Sequence, residues 1–217
     1  MAQREKGILS REVQKYLKEI EKFPDLSVEE EKRLFKKIWR EDKDEEKARK
    51  KIAKAYLKLS VKIAEYYVLK AKKLTILDSV QDGNLALFWA ITAYDWKSKY
   101  KFSTFATILI RKSILRTIEE INRITKIPQE NKVVEEISLK KLETPLYQNK
   151  KRQMVPWEEL TPDEKMEEKR KERIKTELLI KNEIKENKAE LIELISAVTD
   201  VPKIEAQQEI ERLLQEE

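Results

Sequence analysis

The stretch from Tyr100 to Pro128, YKFSTFATILIRKSILRTIEEINRITKIP, constrains the fold of this chain more than any other segment. Its apolar residues recur at helical spacing, which predicts one long helix. The predicted core face carries Ala106, Ile110, Ile114, Thr117 and Ile121. The opposite face mixes apolar groups with cations and carries Phe105, Ile108, Leu109, Lys112 and Arg116. Packing of the first face in the core is enough to hold such a helix in the fold, so we expect the second face to bind a partner. The alternative is a helix buried on all sides, in which Lys112 and Arg116 would need buried partners.

The charge of the chain is concentrated in the same segment. The whole sequence has 47 Lys and Arg against 41 Asp and Glu, a net charge of +6. Residues 97–126 hold eight of the cations and only two of the acids, Glu119 and Glu120. A local basic surface on an otherwise neutral chain predicts a polyanion as the partner, most naturally a nucleic acid.

Composition narrows the fold classes and the functions that are open to this chain. Two glycines in 217 residues, with abundant Lys and Glu, favour long amphipathic helices. Because the sequence has neither Cys nor His, thiolate and imidazole metal sites and His-based catalysis are excluded. No phosphate loop or nucleophile elbow is found, so we expect neither an enzyme nor a cofactor. The chain has no signal peptide core and no apolar run of membrane-spanning length, so no membrane partner is expected and a cytoplasmic location is predicted.

Local patterns predict further helices on both sides of this segment. Residues 27–30 form a capping box that opens a helix with Leu34, Phe35 and Ile38 facing inward. A longer helix is predicted from about residue 48 to 73, and Asp78 is the predicted cap of the next one. Gly83 lies near the start of that helix, where tight packing and a functional role are about equally plausible. Residues 129–160, with Pro145 and Pro156, are predicted to be an extended linker.

The C-terminal part of the sequence is helical in pattern but acidic at its end. Residues 161–164 (TPDE) form a strong helix start, and residues 199–202 (TDVP) interrupt the pattern before a last helix. Residues 203–217 carry two cations and five acids, a net charge of −3. Because phosphates would repel such a helix, we expect this part to bind protein or merely to pack.

Several linked motifs resemble one known family. Residues 78–88 read DSVQDGNLALF, and residues 100–107 read YKFSTFAT and are followed by Ile110-Arg111. Together they resemble regions 2.2 to 2.4 of the sigma-70 family of bacterial transcription initiation factors. Residues 55–59 (AYLKL) are similar to region 2.1 of that family, and the stretch from Tyr16 to Ile38 is similar to region 1.2. The resemblance covers about residues 10–128, with the motifs in the family's order and spacing.

The resemblance implies a fold and a domain division. The fold class is all-α: a bundle like sigma domain 2, then an extended linker and a small C-terminal helical segment. Residues 1–40 would be region 1.2-like helices, and residues 41–128 the domain that binds polymerase and DNA. Residues 129–160 would be the linker, and residues 161–217 the C-terminal helices, which could form a reduced region 4-like domain. Reading of a −35 element by these helices is not expected because of their charge.

The resemblance also implies two sets of contact residues. The predicted polymerase-contact set would bind the clamp helices of the RNA polymerase core enzyme and comprises Leu77, Asp78, Val80, Gln81, Asp82, Asn84 and Phe88. The predicted DNA-contact set would capture the non-template strand of a melted −10-like promoter element. It comprises Tyr100, Lys101, Phe102, Ser103, Thr104, Phe105, Thr107, Ile108, Leu109, Lys112 and Arg116. Aromatic rings would stack on unpaired bases, and cations and hydroxyls would contact phosphates or bases. Phe102 could equally belong to the core.

This chain departs from the family pattern at four positions. Ile108-Leu109 stands where many members have a Trp-Trp pair that wedges the edge of the open DNA. Phe105 replaces a common Tyr, Lys112 a common Gln, and Tyr56 a common Asn. Base specificity is therefore expected to differ, and melting is expected to be weaker than for a housekeeping factor.

Three hypotheses follow from these patterns. In the first, the chain is a sigma factor that binds core polymerase and captures the non-template strand, with an anti-sigma or other regulatory protein as a further candidate partner. In the second, it is a degenerate sigma-like protein that occupies the polymerase clamp without opening promoters. In the third, it is a helical scaffold unrelated to transcription, which the linked motifs disfavour.

Overall fold

The computed structural model describes residues 11–40, 43–68, 75–125 and 162–215, and within these ranges every regular element is a helix. The seven helices are α1 (Arg11–Ile20), α2 (Val28–Trp39), α3 (Glu45–Val68), α4 (Ile76–Ala93), α5 (Phe102–Thr125), α6 (Pro162–Thr199) and α7 (Lys203–Gln215). The predicted all-α class is confirmed. The linker predicted at 129–160 lies outside the described residues. No helix in the described part is long and apolar enough to cross a bilayer.

Side-chain caps start two of the helices. The Ser27 hydroxyl accepts a hydrogen bond from the Glu30 backbone N–H at 3.2 Å, as the predicted capping box requires. The prediction that Asp78 caps α4 is wrong, because the cap is Thr75. The Thr75 hydroxyl accepts from the Asp78 N–H at 3.2 Å and donates to the Asp78 carboxylate at 2.5 Å. Asp78 therefore completes the cap from the first turn of the helix, where its negative charge also interacts favourably with the helix dipole.

Helices α3, α4 and α5 pack closely around Gly83. A β-carbon at this position would lie 3.3 Å from Ile110 Cγ2 and 3.3 Å from Ser60 Oγ, which is tighter than ordinary van der Waals contact. Glycine thus lets α4 approach α3 and α5 together, which supports the packing explanation for this residue. Of the core residues predicted for α5, Ala106, Ile110 and Ile114 are fully buried, whereas Thr117 and Ile121 are only partly buried. The inward residues predicted for α2 are buried.

An aromatic cluster joins α2, α3 and the turn between α4 and α5. The Phe102 ring lies 4.9 Å from Phe35, 4.8 Å from Tyr56 and 5.2 Å from Tyr94, measured between centroids. The Tyr94 hydroxyl donates to the Tyr100 carbonyl at 2.8 Å and fixes the entry to α5. Tyr56, one of the four departures from the family pattern, also donates its hydroxyl to Glu31, and burial raises the pKa of this carboxyl.

Helices α6 and α7 share one hydrophobic core with the other five helices. The buried residues that α6 and α7 contribute are Ile180, Ile184, Leu191, Leu194, Ile195, Val198, Ala206, Ile210 and Leu213. The break predicted at residues 199–202 is confirmed, and Asp200 there has a positive φ of 57°. Helix α6 is kinked at Asn187, whose side-chain amide donates to the Glu183 carbonyl one turn earlier.

Candidate nucleic-acid and polymerase interface

Helix α5 and the turn before it carry the whole predicted DNA-contact set, but most of these side chains are buried. Those with less than a tenth of their surface exposed are Tyr100, Phe102, Thr104, Phe105, Thr107, Ile108 and Leu109. Ser103, Lys112 and Arg116 are partly buried, and Lys101 is exposed. The expectation that this face is free of packing is wrong, because α6 and α7 lie over it. We call these two helices the cover.

Arg111 is the centre of the contact between α5 and the cover. Its side chain is 2% exposed, and its guanidinium donates to Glu183, to Glu190 at 2.6 Å and to the Tyr67 hydroxyl at 2.9 Å. Tyr67 in turn donates to Glu190 at 2.8 Å. Burial opposes the charge on Arg111, but Glu190, Tyr67 and Glu183 outweigh it, so the pKa of this group is raised. Arg111 therefore stays charged inside the protein.

Lys112 shares one of these carboxylates. Its ammonium group donates to Glu183 at 2.9 Å, so this single carboxylate accepts from both Arg111 and Lys112. The Asn187 amide adds a third hydrogen bond at 3.2 Å. Glu183 is 7% exposed, and these donors supply the hydrogen bonds that a buried carboxylate needs. The buried partner that Lys112 was expected to need is present.

The N-terminal end of α5 meets a second pair of carboxylates, on α7. The Lys101 backbone N–H donates to Glu209 at 2.8 Å, and the Lys101 ammonium group pairs with Glu205. Glu209 is 2% exposed and also pairs with Arg212 at 2.8 Å. A carboxylate at this position satisfies a backbone donor that the helix itself leaves open, and it interacts favourably with the helix dipole.

The apolar members of the predicted DNA-contact set lie along α5, close to the contacts that Lys101 and Arg111 make with the cover. The rings of Tyr100 and Phe105 stack at 5.9 Å with an interplanar angle of 14°. Ile108 and Leu109 are 0% and 3% exposed. Aliphatic side chains at these positions fit a helix-to-helix interface, which gives a packing reason for the absence of the Trp pair.

Arg116 and the hydroxyls lie at the margins of this contact. The Arg116 guanidinium is 3.4 Å from Glu120 on the same helix and is 32% exposed. The Thr107 hydroxyl donates to the Ser103 carbonyl at 2.8 Å within α5. A cavity of about 430 Å³ opens beside Arg116 between α4, α5 and α6, and Trp89 and Leu179 form part of its wall. Arg116 is thus accessible along one edge of the cover.

The predicted polymerase-contact set is mainly on the outer side of α4. Phe88 is 53% exposed, and Asp78 and Gln81 are exposed. Leu77 is partly buried. Asp82 accepts from the Thr117 hydroxyl at 2.7 Å, and the Asn84 amide donates to the Tyr16 hydroxyl at 3.1 Å. Val80 is 3% exposed and packs in the core, so the expectation that it contacts a partner is wrong for this conformation.

The sequence interpretation missed two groups of residues. Leu85 is 51% exposed beside Phe88, and it enlarges the apolar surface of α4. The second group is the four carboxylates of the cover, Glu183, Glu190, Glu205 and Glu209. Their spacing was a usable sign, since residues seven or four apart share a helix face and neighbouring positions on that face are apolar. No group of three or more acidic residues in the described ranges is arranged to hold a metal ion.

The fold and this site define a class: an all-helical protein that joins a basic, aromatic helix to a helix with exposed apolar and acidic groups. Residues 52–124 match the model of Sigma-70 region 2, so this part of the chain is similar to region 2 of the sigma-70 family.

Three curated relatives match a similar share of the chain. RNA polymerase sigma factor SigA of Clostridium acetobutylicum is 46% identical over 116 residues, which are 54% of this chain and 29% of that relative. The proteins of the same name from a Bacillus species and from Lactococcus lactis subsp. cremoris are 40% and 38% identical over 116 residues. The match thus spans less than a third of the length of each relative.

Proposed function

We propose that this chain is a sigma factor, acting in the bacterial cytoplasm, that binds the RNA polymerase core enzyme and captures the non-template strand of a melted −10-like element. The observation that carries the proposal is the match of residues 52–124 to sigma-70 region 2, together with relatives named as RNA polymerase sigma factors. The chain supplies binding surfaces only, so promoter opening is driven by capture of the open strand and needs no chemical step by this chain.

Helix α4 is the proposed polymerase-binding element. Phe88 and Leu85 place two large apolar groups on the same exposed surface, and Gln81 and Asp78 lie about one and two turns before Leu85. An apolar centre with acids and amides at its edge suits the clamp helices if these present basic groups around an apolar strip. Asp82 and Asn84 are held by contacts within the bundle and support the shape of this surface.

Phe88→Ala tests this surface directly. Because the side chain is 53% exposed, we expect the free energy of unfolding to change by less than about 0.5 kcal/mol. Loss of an apolar anchor at an interface centre should weaken core binding at least about tenfold. Ile174→Ala on α6, where the side chain is 50% exposed, is the matched control and should leave core binding unchanged. Equal affinities of the two variants in a fluorescence titration with core enzyme would remove α4 from the interface.

Helix α5 is the proposed strand-binding element. Tyr100 and Phe105 offer the rings for base stacking, and Lys101, Lys112 and Arg116 offer cations for the backbone. Ile108 and Leu109 would border the upstream edge of the open DNA. The hydroxyls of Ser103, Thr104 and Thr107 lie along the same helix.

A second candidate function is favoured by the burial of this face. Because Ile108 and Leu109 are buried, a chain that binds core polymerase and never uncovers α5 would occupy the clamp without opening promoters. Run-off transcription with reconstituted polymerase separates the two functions. Transcripts that depend on this chain support the sigma factor, whereas core binding without initiation on every promoter tried supports the second candidate.

A further inference from the structure

The cover places carboxylates at the positions where the proposed function needs phosphates. Glu183 binds both Arg111 and Lys112, and Glu190 binds Arg111. On α7, Glu205 pairs with the Lys101 side chain. Carboxylates and phosphates use the same charge-assisted hydrogen bonds from Arg and Lys. Two of the three cations proposed to contact the strand, Lys101 and Lys112, are thus already paired with acids of the cover, as is the neighbouring Arg111.

At the start of α5 a carboxylate of the cover also accepts a hydrogen bond from a backbone N–H. Glu209 accepts from the Lys101 N–H at the helix N-terminus, which is a favoured position for phosphate groups as well as carboxylates. Glu209 is 2% exposed, so a phosphate reaches this N–H only when α7 has moved. The ring pair of Tyr100 and Phe105 lies beside this point and is buried with it.

Apolar burial couples these anion sites into one unit. Ile108 and Leu109 are covered in the interval between the Lys101 and Arg111 contacts. Base stacking needs access to the rings of Tyr100 and Phe105, which are also buried in this arrangement. If the cover separated from α5 only at Lys101 or only at Arg111, the carboxylates at the other end and the apolar contact would therefore stay in place.

We propose that α6 and α7 form a built-in acidic cover that competes with single-stranded nucleic acid for α5, so that strand binding requires the cover to move away. This inference rests on the proposed function of α5 as the strand-binding element. The competing groups are Glu183, Glu190, Glu205 and Glu209, which act as a surrogate for the phosphates of the strand. The chain then holds its DNA-binding face closed until the cover is displaced.

The absence of cysteine from the sequence allows the cover to be locked by a designed cross-link. Lys62 on α3 pairs with Asp200 in the turn between α6 and α7 at 2.7 Å, and both side chains are solvent-accessible. Neither residue belongs to the predicted DNA-contact or polymerase-contact set. The full-length Lys62→Cys/Asp200→Cys variant is joined with a short bis-maleimide that contains a reducible disulfide. The single variant Lys62→Cys, treated in the same way, controls for chemical modification.

The probe is a fluorescent oligo(dT) strand at low salt, with the free chain and no polymerase. We expect the locked chain to bind at least about tenfold more weakly than the same chain after reductive cleavage of the linker. Glu183→Gln/Glu205→Gln, which weakens the cover at both ends, should bind more tightly than the native chain. Circular dichroism checks that each variant retains its helices.

Equal affinities of the locked, released and Glu183→Gln/Glu205→Gln chains would overturn the proposed competition, as would absence of strand binding by all three. If instead the proposed sigma factor function is wrong, a different result is expected. The released chain would then bind oligo(dT), but its complex with core polymerase would not initiate transcription. Deletion of residues 162–217 is a poorer test, because it removes part of the shared hydrophobic core and leaves Arg111 without its carboxylate partners.

Discussion

Removal of the Glu183 charge is the sharpest test of how the cover is held. In Glu183→Gln, Arg111 stays 2% exposed but loses one of two carboxylates, and Lys112 loses its carboxylate partner. Removing one partner of a buried ion pair costs about 3–5 kcal/mol when the other charge is left uncompensated. Glu190 at 2.6 Å and the Tyr67 hydroxyl at 2.9 Å remain. We therefore expect a loss in the free energy of unfolding of about 2–3 kcal/mol, below that range.

The chain offers a matched control on the same helix. Glu193 pairs with Lys203 at 3.2 Å, and the two side chains are 61% and 66% exposed. Exposed pairs contribute between about 0 and 1 kcal/mol, so Glu193→Gln should be nearly neutral. Urea unfolding followed by far-ultraviolet circular dichroism measures both variants. Amide hydrogen exchange of residues 105–112 then shows whether α5 has lost its cover locally.

A double variant separates charge from packing. Arg111→Met/Glu183→Met removes both buried charges and keeps apolar volume, and such replacements are often neutral or stabilising. Glu190 and Lys112, which are 38% and 37% exposed, can then be solvated by water. The double variant should be more stable than Glu183→Gln alone. The reasoning is refuted if Glu183→Gln and Glu193→Gln unfold at the same urea concentration, or if the double variant is the least stable chain.

Three further variants test the bundle and the accessible edge of α5. Gly83→Leu places a side chain against Ser60 and should destabilise the chain by about 1–3 kcal/mol or more, whereas Gly83→Ala should change stability far less; thermal unfolding decides. Thr75→Ala removes the α4 cap and should cost about 1 kcal/mol in urea unfolding, and no change would show that the cap is dispensable. Arg116→Ala should weaken promoter DNA binding and leave core binding intact. Arg170→Ala, at an exposed position on α6, should weaken neither promoter binding nor core binding. Normal promoter opening by Arg116→Ala would exclude the Arg116 edge of α5 from DNA binding.

Local features of the fold could be predicted because their causes are local in sequence. Ser27 and Glu30 are three residues apart, and the inward positions Leu34, Phe35 and Ile38 follow from helical spacing. The prediction for α4 had the right element and the wrong cap. Thr75 lies three residues before Asp78, and its hydroxyl accepts from the Asp78 backbone N–H and donates to the Asp78 carboxylate.

The cover could not be predicted from local patterns, because its contacts join distant residues. Glu183 lies 72 residues beyond Arg111, and Glu209 lies 108 residues beyond Lys101. Periodicity correctly indicated two apolar faces on α5, but it carries no information on what packs against the second face. The acidic character of the last residues indicated that they avoid DNA, and pairing with the basic helix is the other consequence of that charge.

Promoter opening by a reconstituted polymerase tests the central claim most directly. Core enzyme with this chain is used to select promoters from a random DNA library, and opening is then followed by the fluorescence of 2-aminopurine placed in the non-template strand of the selected −10-like element. The sigma factor hypothesis predicts a fluorescence increase and a run-off transcript that both require this chain. Stable binding of the chain to core enzyme, with neither signal on any selected promoter, would contradict it.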